Sequence, residues 1–238
     1  MGNSCYYDML KEYSRNLGLE IKDEQCGKFE KYALFLQEWN EKINLTAITE
    51  DTEICIKHFY DSLTVFPYIK GNNLIDVGTG AGFPGIPLKI IFPELKITLL
   101  DSLEKRVNFL NEVCTTLNLT EIEAIHSRAE DAGRNAIFRE QYDICISRAV
   151  AKLPVLLEYC LPFVKVGGIF IAMKGREISE IDESQKALEL LGGQIEDVKE
   201  VELPLENIKR NIVIIRKCRQ LSTRYPRKAG RPTKEPLI

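Results

Sequence analysis

Between residues 72 and 217 the apolar positions fall into short runs separated by amphipathic stretches. The runs at 72–77, 96–101, 121–126, 142–147, 167–173, 194–202 and 211–217 read as strands, and the stretches near 85–92, 103–118, 129–135, 152–162 and 177–191 read as helices. Such alternation requires a mainly parallel sheet, because each parallel crossover is carried by a helix that covers one face. The fold expected is therefore α/β: a mainly parallel seven-stranded sheet with helices on both faces. In sheets of this kind a ligand binds at the carboxyl ends of the strands, near the switch in strand order. That edge collects Gly78 to Phe83, Asp101, the turn from Ser127 to Asp131, and Ser147-Arg148-Ala149.

The first 70 residues carry a different rhythm. In 22–41 the apolar residues Cys26, Phe29, Tyr32, Ala33, Leu36 and Trp39 recur at three- and four-residue steps, so one helix presents a single stripe that must pack on something, most simply the sheet. A further helical stretch from about Thr52 carries His58 and Asp61 on one face towards Pro67. As a catalytic pair they are outweighed by a histidine hydrogen-bonded within the helical cap. The organisation expected is a helical cap at 1–70, a sheet domain at 71–218 and a basic tail at 219–238.

Chemistry concentrates where the first strand ends. Asp76 is followed by Gly78, Gly80 and Gly82, and glycines there can take backbone angles closed to other residues and leave no Cβ between main chain and ligand. Phe83 stands where a dinucleotide loop would place its third glycine, which sets this loop apart from a pyrophosphate site. The D-x-G-x-G-x-G spacing instead resembles the first motif of the S-adenosylmethionine-dependent methyltransferases. Asp101 lies 23 residues beyond Gly78 at the end of the next strand. A carboxylate at about 20 residues past the loop accepts hydrogen bonds from ribose hydroxyls. A helix N-cap is the alternative role for Asp101.

Composition narrows the class. A chain of 238 residues with 45% hydrophobic content supports one compact domain plus a small appended element. No run of 18 apolar residues exists, and the first ten residues lack the regions of a secretory signal, so a cytoplasmic protein without membrane contact is expected. The seven cysteines form no C-x-x-C pair, which argues for reduced thiols and against a disulfide framework or a zinc site. The net charge of −3 conceals an asymmetry: residues 216–238 hold eight of the 32 Lys and Arg and a single acid, Glu235. Arg224, Arg227, Lys228 and Arg231 suit phosphates and Tyr225 could stack on a base, whereas a solvated tail is the alternative.

A set of residues spread over nearly the whole chain resembles one family. It comprises Trp39-Asn40 with Asn44 to Ile48, His58 with Asp61-Ser62-Leu63, Asp76 through Pro87, Leu99 to Leu103 with Lys105-Arg106, Ser127 to Glu130, Ser147-Arg148-Ala149, Lys174-Gly175, and Arg224 to Gly230. Together these resemble the bacterial 16S rRNA guanine-N7 methyltransferases, also called small-subunit methyltransferase G or glucose-inhibited division protein B. The resemblance implies a Rossmann-like class I fold and methyl transfer from S-adenosyl-L-methionine to N7 of one guanine, guanine 527 in rRNA numbering, in the 530 loop of 16S rRNA. The partner would be 16S rRNA or the small ribosomal subunit, and the chain a monomer. By matching motif positions, Gly78, Phe83, Ala129, Glu130 and Arg148 would contact the cofactor. The tail matches a form of the family that extends past the last strand.

The residues agree with that chemistry partly by what is missing. After the fourth strand, where an Asn/Asp-Pro-Pro-aromatic clamp would hold an exocyclic amine, the chain reads Ser147-Arg148-Ala149-Val150. Cys145, the nearest thiol, sits inside an apolar strand and is expected to be inert packing. Guanine N7 offers an in-plane lone pair and no proton, so alignment and electrostatics suffice and no catalytic acid, base, nucleophile or metal is expected. The cofactor set is then Asp76, Gly78, Gly80, Gly82, Phe83, Asp101, Ala129, Glu130 and Arg148. Asp101 would hold the ribose, the glycine-loop amides the methionine end, and Ala129-Glu130 the adenine edge. Arg148 would bind the methionine carboxylate, steer guanine O6, or form a rim ion pair with a neighbour such as Glu130. Lys174 is either a phosphate contact or a surface lysine. A methyltransferase acting on a small molecule or protein, and a non-enzymatic RNA-binding protein with a relic loop, are the competing functions.

Overall fold

The computed structural model describes residues 4–176, 179–204 and 208–238. Seven strands, β1 (Asn73–Val77), β2 (Lys96–Asp101), β3 (Ile122–His126), β4 (Tyr142–Arg148), β5 (Val164–Lys174), β6 (Gly193–Leu203) and β7 (Ile208–Lys217), form one sheet in the order β3-β2-β1-β4-β5-β7-β6. The first five are parallel, and β7 runs antiparallel between β5 and β6. The chain steps outward from β1 to β3 and returns to β4 on the other side of β1, so the topological switch lies between β1 and β4. Because β7 is reversed, its first residues reach the edge where the parallel strands end, with Asn211 opposite Lys174.

Alternation along each central strand builds two cores. Leu74, Ile144, Ile146, Ile171 and Ile214 face one core, and Ile75, Val77, Cys145, Phe170 and Val213 face the other. The first core is closed by helices Gly85–Ile91 and Glu104–Thr116 and by the N-terminal helices, the second by Leu153–Cys160 and Gln185–Leu191. Each expected helix of the sheet domain is shorter at one or both ends, and two differ most from expectation. The stretch at 129–135 holds only Ala129–Ala132, and the one at 177–191 splits into Glu180–Glu183 and Gln185–Leu191, with residues 177–178 outside the described ones.

The N-terminal stripe packs as its spacing requires. Helix Asp23–Ile43 buries Phe29, Tyr32 and Leu36 completely in the first core and ends at Asn44, which adopts a left-handed conformation. Asn40 Oδ1 then accepts the main-chain N–H groups of Leu45 and Thr46 at 2.6 and 2.8 Å, turning the chain towards the next helical run. That run comprises Asp51–Glu53, a π-helical segment Ile54–Tyr60 and Asp61–Leu63. Among the described residues no helix is long and apolar enough to cross a membrane.

The last twenty residues lie against the second core. Leu221, Pro226, Pro232 and Leu237 are buried, and Arg139 donates to the carbonyls of Leu221, Ser222 and Tyr225 at 2.8 to 3.2 Å. Arg134 Nε donates to Pro226 O at 2.8 Å.

Candidate active site

The glycine turn is fastened from below and from the side. Asp76, wholly buried, accepts Thr79 Oγ1 at 2.6 Å and Gly85 N at 2.8 Å on one oxygen, while its other oxygen has no hydrogen-bond partner. Burial raises its carboxyl to about 6 against the opposing pull of those two hydrogen bonds. Asp76 thus supports the loop from inside. Gly78 has φ +71, and a Cβ there would stand 2.5 Å from Val150 Cγ2, so the bare main chain is required for both conformation and approach.

Asp101 ties the first crossover to the second. Its Oδ2 accepts Gly80 N at 2.9 Å, its Oδ1 accepts Leu103 N at 2.9 Å, and Arg106 Nη1 stands 3.5 Å from Oδ2. Each oxygen keeps a further lone-pair position. The side chain is 3% exposed and lines a cavity of about 200 Å³ with Val77, Gly78, Ala129, Glu130, Val150, Tyr159, Gly230 and Thr233. Glu130 is a wall of this cavity, yet its Oε1 accepts Gly230 N at 2.8 Å, which commits the carboxylate to holding the C-terminal segment. Tyr159 Oη and Thr233 Oγ1, 2.8 Å apart, make a second tie.

Arg148, Phe83 and His58 form a separate assembly. The Arg148 guanidinium lies 5.0 Å from the centre of the Phe83 ring, whose other neighbours are the rings of His58 at 4.4 Å, Tyr32 at 5.3 Å and Phe59 at 6.1 Å. Tyr32 Oη donates to Ala81 O. Arg148 Nη1 donates to Asp61 Oδ2 at 2.9 Å and to the Lys57 carbonyl at 3.1 Å, and Nη2 lies 3.3 Å from His58 Nδ1. His58 Nε2 is 2.8 Å from Thr46 Oγ1, so with Nδ1 accepting from Arg148 the imidazole is the neutral Nε2–H tautomer. Burial, with the nearby Arg148 charge adding to it, lowers its pKa to about 3. This assembly borders a second cavity of about 300 Å³, reached over Ala149 and lined also by Lys57, Met173, Lys174, Arg210 and Asn211. Ala149 itself holds φ +57, an unfavourable angle for a residue with a Cβ; it lines the second cavity, and the next residue, Val150, lines the first.

A family model for rRNA small subunit methyltransferase G matches residues 25–213. The chain belongs to the rRNA small subunit methyltransferase G family. Among its relatives, Ribosomal RNA small subunit methyltransferase G of Acetivibrio thermocellus is 59% identical over 231 residues, covering 96% of each chain. That of Alkaliphilus oremlandii is 51% identical, covering 97% of this chain and 98% of its own. In fold the chain is similar to a SAM-dependent methyltransferase from Aquifex aeolicus, with TM-score 0.51 and 19% identity over 70% of this chain and 93% of that one. It is likewise similar to M. jannaschii TYW2 in complex with AdoMet, with TM-score 0.52 and 15% identity over 67% and 76% of the two chains.

Family membership does not place every expected contact. Gly78, Asp101, Ala129 and Glu130 converge on one cavity. Gly80 joins them through Asp101, whereas Gly82 and Phe83 pack under Tyr32 and Asp76 lies beneath the loop. Arg148 pairs with Asp61, not with Glu130. Three residues expected at the RNA have partners within the fold. Arg227 is spent on Glu158, a carboxylate 1% exposed that accepts its Nε and Nη2 at 2.9 and 2.6 Å, because a buried charge must be paired. Tyr225 is half-buried against the second core. Lys174 bridges Glu180 and Ala151 O, both at 2.8 Å, and is 13% exposed. Arg224, Lys228 and Arg231 stay exposed, with Arg231 paired to Glu235 at 3.2 Å. The expectation missed Tyr32, Tyr159, Arg210, Gly230 and Thr233. The last two lie beyond the matched residues 25–213, and nothing in their local sequence marks a cavity wall.

Proposed function

We propose that the protein transfers the methyl group of S-adenosyl-L-methionine to N7 of a single guanine in 16S rRNA, guanine 527 of the 530 loop, acting as a cytoplasmic monomer on rRNA or the small subunit. The observation that carries this is the Asp101 bridge: one buried carboxylate joins Gly80 at the first crossover to Leu103 at the second and still faces the cavity beside Gly78. The cavity fits an adenosine. Free lone pairs on Asp101 accept the ribose hydroxyls, and the main chain at Ala129-Glu130 meets the adenine edge, since the Glu130 side chain is engaged with Gly230. The cofactor supplies an electrophilic methyl group; the protein aligns it with the base.

The base occupies the second cavity, across Ala149. No proton has to leave guanine N7, and the groups around that cavity suit a reaction without a base. Both ring nitrogens of His58 are engaged, and Cys145 is fully buried with its thiol pushed well above its ordinary range by desolvation. Rate enhancement then comes from holding lone pair, methyl carbon and sulfur in line. Arg148, fixed on Asp61 and Phe83, sets the position of the edge between the cavities.

Two measurements test the reading. Asp101→Ala should weaken cofactor binding by about 100-fold in calorimetry, the worth of a charge-assisted hydrogen-bond pair. Mapping of N7-methylguanosine in small-subunit rRNA should show the mark only where the protein is present. Undiminished binding by Asp101→Ala, or an unchanged rRNA map in cells lacking the protein, refutes the assignment.

A further inference from the structure

The cavity beside Ala149 keeps one acceptor that the fold leaves unused. Asp61 is 4% exposed there, and Arg148 Nη1 satisfies its Oδ2 at 2.9 Å. Its Oδ1 receives no hydrogen bond and has only a long ion contact, 3.5 Å, with Arg210 Nε. A buried carboxylate oxygen without a donor is costly, so a ligand that carries a donor to it gains a favourable contact. The surrounding walls are apolar at Ile48, Met173 and Ile212, which suits the faces of a planar base.

We propose that Asp61 is the residue that selects guanine, its Oδ1 accepting a hydrogen bond from the 2-amino group of the target base. This rests on the N7 reading above. When N7 points across Ala149 towards the methyl donor, the far edge of the purine faces inward. In guanine that edge carries N1–H and the 2-amino group. Adenine offers a lone pair at N1 and a C–H, so a carboxylate there opposes it. Arg148 acts through Asp61: by holding Oδ2 it leaves Oδ1 as the oxygen without a donor.

The test compares small-subunit rRNA carrying guanine or inosine at the methylated position, since inosine keeps N7, O6 and N1–H and lacks only the 2-amino group. The wild-type protein should methylate inosine with kcat/KM lower by about tenfold to a hundredfold, the worth of one hydrogen bond to a charged group. In Asp61→Asn the amide oxygen stays on Arg148 and the amide nitrogen faces the base, so the guanine-to-inosine ratio should fall towards one while cofactor affinity stays at the wild-type value. Equal rates on guanine and inosine by the wild-type protein overturn the proposal, as does full discrimination by Asp61→Asn. Either result leaves N7 methylation standing. Absence of N7-methylguanosine from the guanine substrate is a separate outcome that removes the underlying function and this inference with it.

Discussion

Replacing Arg227 by alanine distinguishes a docked C-terminal segment from an arm that grips RNA. The Glu158 carboxylate accepts the Arg227 main-chain N–H at 2.7 Å, Nε at 2.9 and 3.1 Å and Nη2 at 2.6 Å. Truncation leaves a carboxylate 1% exposed with one main-chain donor and no counter-charge. Removing one member of such a pair costs about 3–5 kcal/mol. The segment can escape part of that penalty by undocking, which returns Glu158 to water, so the loss is bounded by the docking free energy of residues 219–238. A drop of roughly 6 °C or more in Tm is expected for a chain of this size. Trypsin cleavage at Arg224 and Lys228 should accelerate, and cofactor affinity should fall because Gly230 and Thr233 leave the cavity beside Asp101, the one proposed for the cofactor. The double substitution Glu158→Met with Arg227→Met should recover most of the stability, since apolar residues of similar volume replace both charges. Should Arg227→Ala keep wild-type Tm, trypsin resistance and cofactor affinity while binding rRNA more weakly, the docking account is wrong and the arm is restored.

Asp76, raised to about 6, binds its proton more tightly folded than unfolded. Its contribution to stability is therefore greatest below about pH 4 and is lost as pH rises through 6, by about 3 kcal/mol in all. Urea unfolding should show Asp76→Asn gaining on the wild type between pH 5 and pH 8, and a difference independent of pH would contradict this. His58, lowered to about 3, behaves oppositely: its contribution is complete above its unfolded value of 6.5 and drains away as pH falls towards 3. His58→Gln should remove that acid sensitivity in the same assay, and an unchanged pH profile would place the charge elsewhere. Cys145→Ala should retain methyl transfer within about twofold, because a fully buried, protonated thiol offers no nucleophile; loss of transfer in a folded variant would reopen a covalent route.

Much of the site was readable because its signals are local. A period of two with apolar residues on both faces marks β1, β4 and β5 from sequence alone, and bare glycines beside Asp76 mark the turn that follows. Asp101 needed only its distance along the chain from Gly78, since one crossover has a narrow range of lengths. The helix at 177–191 was harder: the apolar spacing lapses between Ile181 and Ala187, and the chain breaks there, at Ser184.

What the sequence determined by itself was therefore the sheet, the edge where its parallel strands end and the glycine and acid residues gathered there, all encoded over a few neighbouring positions. Which charges are spent was decided only by tertiary structure. Arg148 meets Asp61 across 87 residues, Arg227 meets Glu158 across 69, and Gly230 meets Glu130 across 100. A cation read in isolation is the same whether it awaits a phosphate or neutralises a buried carboxylate, because the partner is chosen by desolvation, and burial exists only once the chain has closed on itself.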